Sequence, residues 1–397
     1  MCEGSEEDAV EAVKRATEGQ GAATPAALIA ASRRVVVKVG SSLLIDPSER
    51  GPRRDWLESL AEDLAALRAR GKDIVLVSSG AVALGRSYLG LKRSARLDRK
   101  QAAAAAGQAL LMQAWERALA PHGIRVAQLL LTYDDTERRR RWLNARATIE
   151  MLLAHDAIPV INENDSVATD ELRYGDNDRL SARAAQMVRG DLLILLSDVD
   201  GLYTADPARD AAAEHVPYVG EIDARIEGYA AEASATGPGS GGMRTKIAAA
   251  RIASAAGCAT LIASGRDPHP LRNLEDGARA TLVAAHGSPG RAYKQWIAGA
   301  LATAGTLVVD AGAAKALAGG RSLLPAGVVA VEGEFERGAC LGIADAQGRE
   351  IGRGICAYGS ADARLILGAP SERFEALLGW RGPDELIHRD DLVMLGR

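Results

Sequence analysis

Apolar and polar positions alternate in two registers along most of this chain. Short runs such as Arg34-Val-Val-Val-Lys-Val-Gly40, Asp73-Ile-Val-Leu-Val77, Val126 to Leu131, Ile158-Pro-Val-Ile161, Leu192-Leu-Ile-Leu-Leu196 and Ala259-Thr-Leu-Ile-Ala263 are predominantly apolar and run into glycine, serine, threonine or asparagine. They read as buried parallel strands that deliver loops at their C-terminal ends. Between them lie longer stretches with helical spacing. Trp56, Leu57, Leu60, Leu64 and Leu67 share one face of a helix over Asp55 to Arg70 that Gly71 stops, and further helices are expected over Gln101 to Ala120, Asp135 to Ala154 and Arg179 to Val188. The alternation β-α-β-α-β-α predicts a sheet covered by helices, with Ala259 to Ala263 as its last strand.

The pattern changes after His286-Gly-Ser-Pro-Gly290, which reads as a linker. Beyond it come short strands punctuated by glycine, at Leu307 to Asp310, Gly327 to Val331, Cys340 to Ile343 and Glu350 to Arg353, with one small helix near Ala311 to Leu317. These predict a small, mainly β module. The expected organisation is an extension over 1–33, an α/β domain over 34–285 and the β module over 291–397.

Composition narrows the function. In 397 residues, 48 Lys plus Arg stand against 52 Asp plus Glu, so the chain as a whole does not advertise nucleic acid or an anionic membrane as partner. Cys2, Cys258, Cys340 and Cys356 are widely spaced and fit neither a disulfide framework nor a zinc site. Residues 1–20 hold six acidic and two basic residues with no apolar segment, so neither a signal nor a transit peptide is expected there, and no apolar run has membrane-spanning length. The expectation is a cytoplasmic protein acting on small molecules.

The candidate chemistry sits where the strands end. Gly237 to Lys246, G-P-G-S-G-G-M-R-T-K, runs straight into a helix. Glycines permit close approach, the helix start offers free N–H groups, and Lys246, expected to be exposed in the loop, adds a charge: the stretch is suited to an anion. Its G-x-G-x-x-G spacing is not a dinucleotide fingerprint, since no apolar strand precedes it, and no Walker loop occurs in the chain. Taken alone, the stretch is equally a flexible loop before a surface helix. Lys38 lies inside an apolar strand, where an ammonium needs an anion or solvent, and a phosphate is the favoured partner. Ser78-Ser-Gly-Ala81, Asn162-Glu-Asn-Asp-Ser166 and Tyr174-Gly-Asp-Asn-Asp178 place hydroxyls, carboxamides and carboxylates at strand ends. They lack the spacing of a calcium loop and fit a polar pocket, with Asn162, Asn164 and Asn177 able to orient a ligand. The basic run Arg138 to Trp142 reads as a solvated or subunit-facing helix surface rather than a nucleic-acid site.

Six motifs, V-V-K-V-G-S-S (Val36 to Ser42), V-S-S-G-A (Val77 to Ala81), I-N-E-N-D (Ile161 to Asp165), G-D-N-D (Gly175 to Asp178), S-D-V-D-G-L-Y-T-A-D-P (Ser197 to Pro207) and S-G-G-M-R-T-K (Ser240 to Lys246), occur here in one order. Together they closely resemble the branch of the amino acid kinase family that makes γ-glutamyl phosphate at the start of proline synthesis. The tail, with Trp296, S-L-L-P-A-G (Ser322 to Gly327) and H-R-D-D (His388 to Asp391), is similar to a PUA domain. The resemblance covers everything after about residue 33. It implies a three-layer αβα sandwich around a mainly parallel sheet, ATP and Mg²⁺ as cofactors, L-glutamate as acceptor, feedback by proline, and a homodimer or homotetramer. It further implies that Lys38 and Lys246 contact the ATP phosphates and that Asp178 orients the two lysines. Ser79, Gly80, Asp165 and Asn177 are then expected to hold glutamate. Ser197, Asp198 and the loop Ser240, Gly241, Gly242, Met243, Arg244, Thr245 and Lys246 are expected to hold the nucleotide; Ser197 and Ser240 stand where the family usually has threonine. No protein residue is assigned to a metal. Two rivals remain: an N-acetylglutamate kinase, and an RNA-binding protein using the tail. From Arg291 to Arg397 there are 12 basic and 13 acidic residues, a net charge of −1 that argues against a strong electrostatic RNA footprint.

Overall fold

The computed structural model describes residues 24–46, 51–92, 96–167, 177–233, 242–298 and 303–395. It divides into two compact units, one of residues 1–137 and 145–289, the other of 138–144 and 290–397.

The first unit is built on an eight-stranded sheet. Its strands are β1 (Arg34–Val39), β2 (Asp73–Ser78), β3 (Arg125–Leu131), β4 (Ala157–Glu163), β5 (Leu192–Ser197), β6 (Tyr218–Val219), β7 (Ala259–Ser264) and β8 (Ala280–Val283). Their spatial order is β6-β8-β7-β5-β1-β2-β4-β3. All pairs are parallel except β7 with β8. The predicted strands all form, but Ala259–Ser264 is not the last: Ala280–Val283 pairs against it and Tyr218–Val219 closes the edge. Both are too short to stand out from their surroundings as apolar runs.

The helices used below are α1 (Pro25–Ala31), α2 (Arg54–Ala69), α3 (Ala81–Tyr88), α4 (Leu97–Leu119), α5 (Tyr133–Glu137), α6 (Arg139–Ala154), α7 (Asn177–Met187), α8 (Ala224–Ala233) and α9 (Met243–Ala255). Strand side chains alternate between faces. Val35, Val37 and Val39 of β1, with Ile74 and Leu76 of β2, join the core that includes Trp56, Leu60 and Leu64 of α2 and Leu111 and Trp115 of α4. Val36 and Lys38 therefore point to the other face, where α7 and α9 lie. The expected single helix over Asp135 to Ala154 is two, α5 and α6, interrupted at Arg138. At the start of α5 the Asp135 carboxylate accepts from the Thr132 N–H at 2.7 Å and from its hydroxyl at 2.6 Å, which satisfies groups that the first turn would leave open.

Helices α3 and α4 meet backbone to backbone. A Cβ on Gly85 would stand 1.7 Å from the Ala103 carbonyl oxygen, and one on Gly107 would stand 1.7 Å from that of Ala81. This crossing fixes the helix that begins directly after the Ser79-Gly80 turn.

The second unit carries a five-stranded sheet in which Thr306–Val309 lies between Val328–Glu332 and Cys340–Ala344, followed by Glu350–Ile355 and Leu392–Met394. Leu307, Leu341, Tyr358, Phe374 and Ile387 are fully or almost fully buried in its core. The segment read as a linker is already helical from Pro289, and the single small helix expected here is accompanied by Pro289–Ala298, Ser360–Leu365 and Phe374–Leu378. Trp142 belongs to this unit, buried and stacked on Tyr293 with ring centroids 6.0 Å apart, while Arg138, Arg140 and Arg141 are exposed.

Candidate active site

In the sheet order, chain connections leave β1 in opposite directions, to β2, β4 and β3 on one side and to β5, β7 and β8 on the other. A crevice outside the C-terminal ends of the strands at such a reversal is where open α/β sheets take ligands. Lys38 sits one residue before the end of β1, level with Val77 of β2 and Leu195 of β5. Ser78 ends β2 and Ser79 follows it, Asn162 is the next-to-last residue of β4, and Ser197 ends β5.

At the centre is a buried cluster of charge. The Lys38 Nζ lies 2.5 Å from Asp178 Oδ1, and the Lys246 Nζ lies 3.4 Å from Asp178 Oδ2. Thr245 Oγ1 stands 2.8 Å from Asp178 Oδ2 and 2.8 Å from the Gly242 carbonyl. Lys38, Lys246 and Asp178 are 6%, 3% and 0% exposed. Burial alone would push the Asp178 carboxyl up, but the Lys38 and Lys246 charges and the hydrogen bonds outweigh it and hold the group below its ordinary value. Two buried ammonium groups thus meet on one carboxylate at the sheet edge.

The burial of Lys246 corrects the expectation of an exposed loop lysine. Helix α9 starts at Met243 with Gly242 as its cap, so Lys246 is already within the helix. It falls on the buried stripe Met243, Lys246, Ile247, Ala250, whose i, i+3, i+4, i+7 spacing was available in the sequence. Asp178 lies on the matching stripe of α7 with Ser181, Ala182 and Ala185. Gly242 and Thr245 are half-buried, Met243 is buried and Arg244 exposed. Ser240 and Gly241, with the rest of the glycine loop from 237, lie outside the described residues, as do Gly175 and Asp176.

On the β2 and β4 side, Asn177 joins three strand-end groups. Its Nδ2 is 2.9 Å from the Ser78 carbonyl, 2.9 Å from Ser79 Oγ and 2.7 Å from Asn162 Oδ1. With both amide protons engaged, its Oδ1 is left as an acceptor. Gly80 caps α3 at φ +107°, a left-handed backbone that favours glycine, and a Cβ there would meet Ile45 Cδ1 at 3.3 Å. Asp165, half-buried, lies in the turn after β4. Two contributors carry no local sequence signal. Trp115, buried in α4, donates from Nε1 to Ser78 Oγ at 2.9 Å, and Gln108 of the same helix reaches the Glu163 carbonyl at 3.4 Å. Asn162 had such a signal in I-N-E-N-D.

On the other side, buried Ser197 donates from Oγ to Asp198 Oδ1 at 3.0 Å, and Asp198 is exposed. The structure thus gathers Lys38, Lys246 and Thr245 on Asp178, gathers Ser79 and Asn162 on the adjacent Asn177, and sets Ser197 and Asp198 at the end of the strand next to β1. Among the described residues there is no group of three or more His, Cys, Asp or Glu that could hold a metal ion, and no helix is long and apolar enough to cross a membrane.

An open, mainly parallel sheet with cationic and polar groups at its switch point is suited to an anionic ligand, and comparison with known proteins gives the class. The sequence model of the amino acid kinase family matches residues 33–264, and that of the PUA domain matches 305–378. The chain belongs to the amino acid kinase family. Glutamate 5-kinases are among its relatives. A glutamate 5-kinase of Caulobacter vibrioides is 59% identical over 367 residues, 92% of this chain and 97% of the relative. One of Paramagnetospirillum magneticum is 56% identical over 368 residues, 93% and 99% of the two chains. One of Agrobacterium fabrum is 53% identical over 369 residues, 93% and 94% of the two chains.

Proposed function

We propose that this chain is a glutamate 5-kinase, transferring the γ-phosphoryl group of ATP to the γ-carboxylate of L-glutamate to give L-glutamyl 5-phosphate, the first step of proline biosynthesis. The observation that carries the site assignment is the Lys38–Asp178–Lys246 cluster at the switch point. The relatives supply the substrate.

The acceptor is a carboxylate, ionised at neutral pH, so no general base is required, and none of the six histidines is among the candidate residues. The demand is for stabilisation of charge on the migrating phosphoryl group and for in-line alignment. Lys38 and Lys246 supply two fixed cations to the phosphates, and Asp178 keeps both ammonium groups aimed at one point. The start of α9 adds backbone N–H groups from the nucleotide side. Ser79, Gly80 and Asn177 face the acceptor. The Asn177 carbonyl and the Asp165 carboxylate receive its ammonium, which accounts for a preference for free over N-acetylated glutamate. Mg²⁺ fits as a companion of the ATP phosphates rather than the occupant of an all-protein cage, because among the described residues the carboxylate at the centre, Asp178, is already paired to two lysines. When bound, it neutralises phosphate charge.

The chain's own catalytic unit is then 34–285, with 291–397 serving regulation or assembly. Proline feedback, oligomerisation and a cytoplasmic site of action follow from the same resemblance and are part of the proposal. The test is ATP- and Mg²⁺-dependent trapping of an acyl phosphate as hydroxamate with free glutamate. Absence of trapping under saturating substrates overturns the reading.

A further inference from the structure

A second network lies along the same sheet edge, on the side away from the acceptor groups. The Tyr203 hydroxyl lies 3.0 and 3.1 Å from the two oxygens of Asp200, to which it donates, and accepts from Arg279 Nη1 at 2.8 Å. Arg279 is also 3.5 Å from Asp200. The Tyr203 ring packs edge-on to His215, with centroids 5.3 Å apart. Beneath them Thr281 of β8 accepts from the Leu202 N–H at 2.7 Å and donates to the Val216 carbonyl at 2.7 Å. Gly201 is held at φ +150° where a Cβ would stand 2.5 Å from His215 Nε2. The segment from Asp198 to Tyr203 is therefore tied to β8 and to the residue before it by backbone and side chain.

Arg279 immediately precedes β8, and Ala280 is level with Ala263 near the C-terminal end of β7, which puts Arg279 at the same sheet edge as Ser197. The strands from β1 to β8 are three steps apart, roughly 14 Å. That is comparable with the reach of a nucleotide whose terminal phosphate lies at Lys38 and whose base lies at β7 and β8. We propose that Asp200, Tyr203 and Arg279 form a positioning clamp for the nucleotide, fixing the Asp198–Tyr203 segment at the base end of the site and so setting ATP affinity without entering the transfer step. The inference rests on the reading of this edge as the nucleotide side. These are positioning residues, since they act through the segment that borders the ligand.

The experiment compares wild type with Tyr203→Phe, Arg279→Ala, Arg279→Lys and the double variant Tyr203→Phe/Arg279→Ala, measuring AMP-PNP binding by calorimetry, steady-state kinetics and melting temperature. The clamp predicts weaker AMP-PNP binding and a KM for ATP raised about threefold to tenfold in Tyr203→Phe and Arg279→Ala, a modest change because the Arg279 contacts are exposed. kcat and the KM for glutamate stay within about twofold, and the melting temperature within about 2 °C, as expected of surface substitutions. Arg279→Lys, which can still donate to the Tyr203 hydroxyl, recovers most of the affinity, and the double variant is no weaker than the worse single one, because both cut the same link. Unchanged AMP-PNP binding in the folded variants overturns the clamp, as does a parallel rise in both KM values with a lowered melting temperature, which marks a structural role. Wild type that binds no AMP-PNP overturns the nucleotide edge and the clamp together. Wild type that binds AMP-PNP without phosphorylating glutamate removes only the proposed acceptor, and the binding data still decide the clamp.

Discussion

The Lys38 ammonium stands 2.5 Å from the Asp178 carboxylate, one near the end of β1 and the other in the first turn of α7, both buried. A buried ion pair adds little net stability, but removing one partner strands the other. In Asp178→Asn, Lys38 and Lys246 lose the carboxylate they share. We expect a loss of about 3 kcal/mol or more of stability without nucleotide. A larger rise in melting temperature on adding ATP should accompany it, because phosphate then offers the two ammonium groups an anion in place of the Asp178 carboxylate. Thermal shifts with and without ATP check this. An unaltered melting temperature and ATP response would mean that the pair does not hold the site.

The same carboxylate fixes a pH dependence. Its folded value is lowered from 3.8, so its contribution is fully present above that value and is lost only as pH falls through the lower one. Wild-type stability should therefore show no step attributable to Asp178 between neutrality and about pH 5. A wild-type melting curve against pH, compared with that of Asp178→Asn, measures it. A difference between the two that vanishes well above pH 5 would contradict the assignment.

Lys246 is buried in α9, so its replacement tests rate only if packing is kept. Lys246→Met retains most of the stem and removes the charge. The expected result is a folded protein with kcat lowered roughly a hundredfold or more, the scale of a lost electrostatic donor. Near wild-type turnover in the folded variant would take Lys246 out of the transfer step.

Asp165→Asn addresses the amino group of the acceptor. A charge-assisted contact is worth about 1.5–3 kcal/mol, so kcat/KM for glutamate should fall about tenfold to a hundredfold while the KM for ATP changes little. Unchanged glutamate kinetics would place the ammonium elsewhere.

A chain ended near residue 286 keeps every candidate site residue but removes Tyr293 from the face of Trp142. The expected outcome is retained hydroxamate formation together with a lowered melting temperature. A folded truncation inactive at all glutamate concentrations would show that the C-terminal segment belongs to the catalytic unit.

Much of this architecture was legible because fully buried parallel strands are almost wholly apolar, as Leu192 to Leu196 is and as Val35 to Val39 is but for Lys38, and because their ends carry the polar groups that the edge requires. Lys38 stood out for the same reason, as a charge inside such a run. Lys246 was misplaced because the neighbouring glycines suggested a loop, although its spacing from Met243, Ile247 and Ala250 marked a buried stripe. Ala280–Val283 gave no signal of its own, since a four-residue strand acquires its identity from the neighbour it pairs with. The bond from Trp115 to Ser78 was equally silent, because only the packing of α4 on the sheet brings them together.

The central claim is transfer from ATP to the γ-carboxylate of free glutamate. The measurement that tests it most directly is the ratio of kcat/KM for free glutamate to that for N-acetylglutamate, read from ATP-dependent hydroxamate formation by the full-length protein. The account predicts efficient trapping with free glutamate and a ratio of about a hundred or more, because an acetylated amide leaves the Asp165 carboxylate without its cation. Equal use of the two substrates, or trapping with N-acetylglutamate alone, would contradict it.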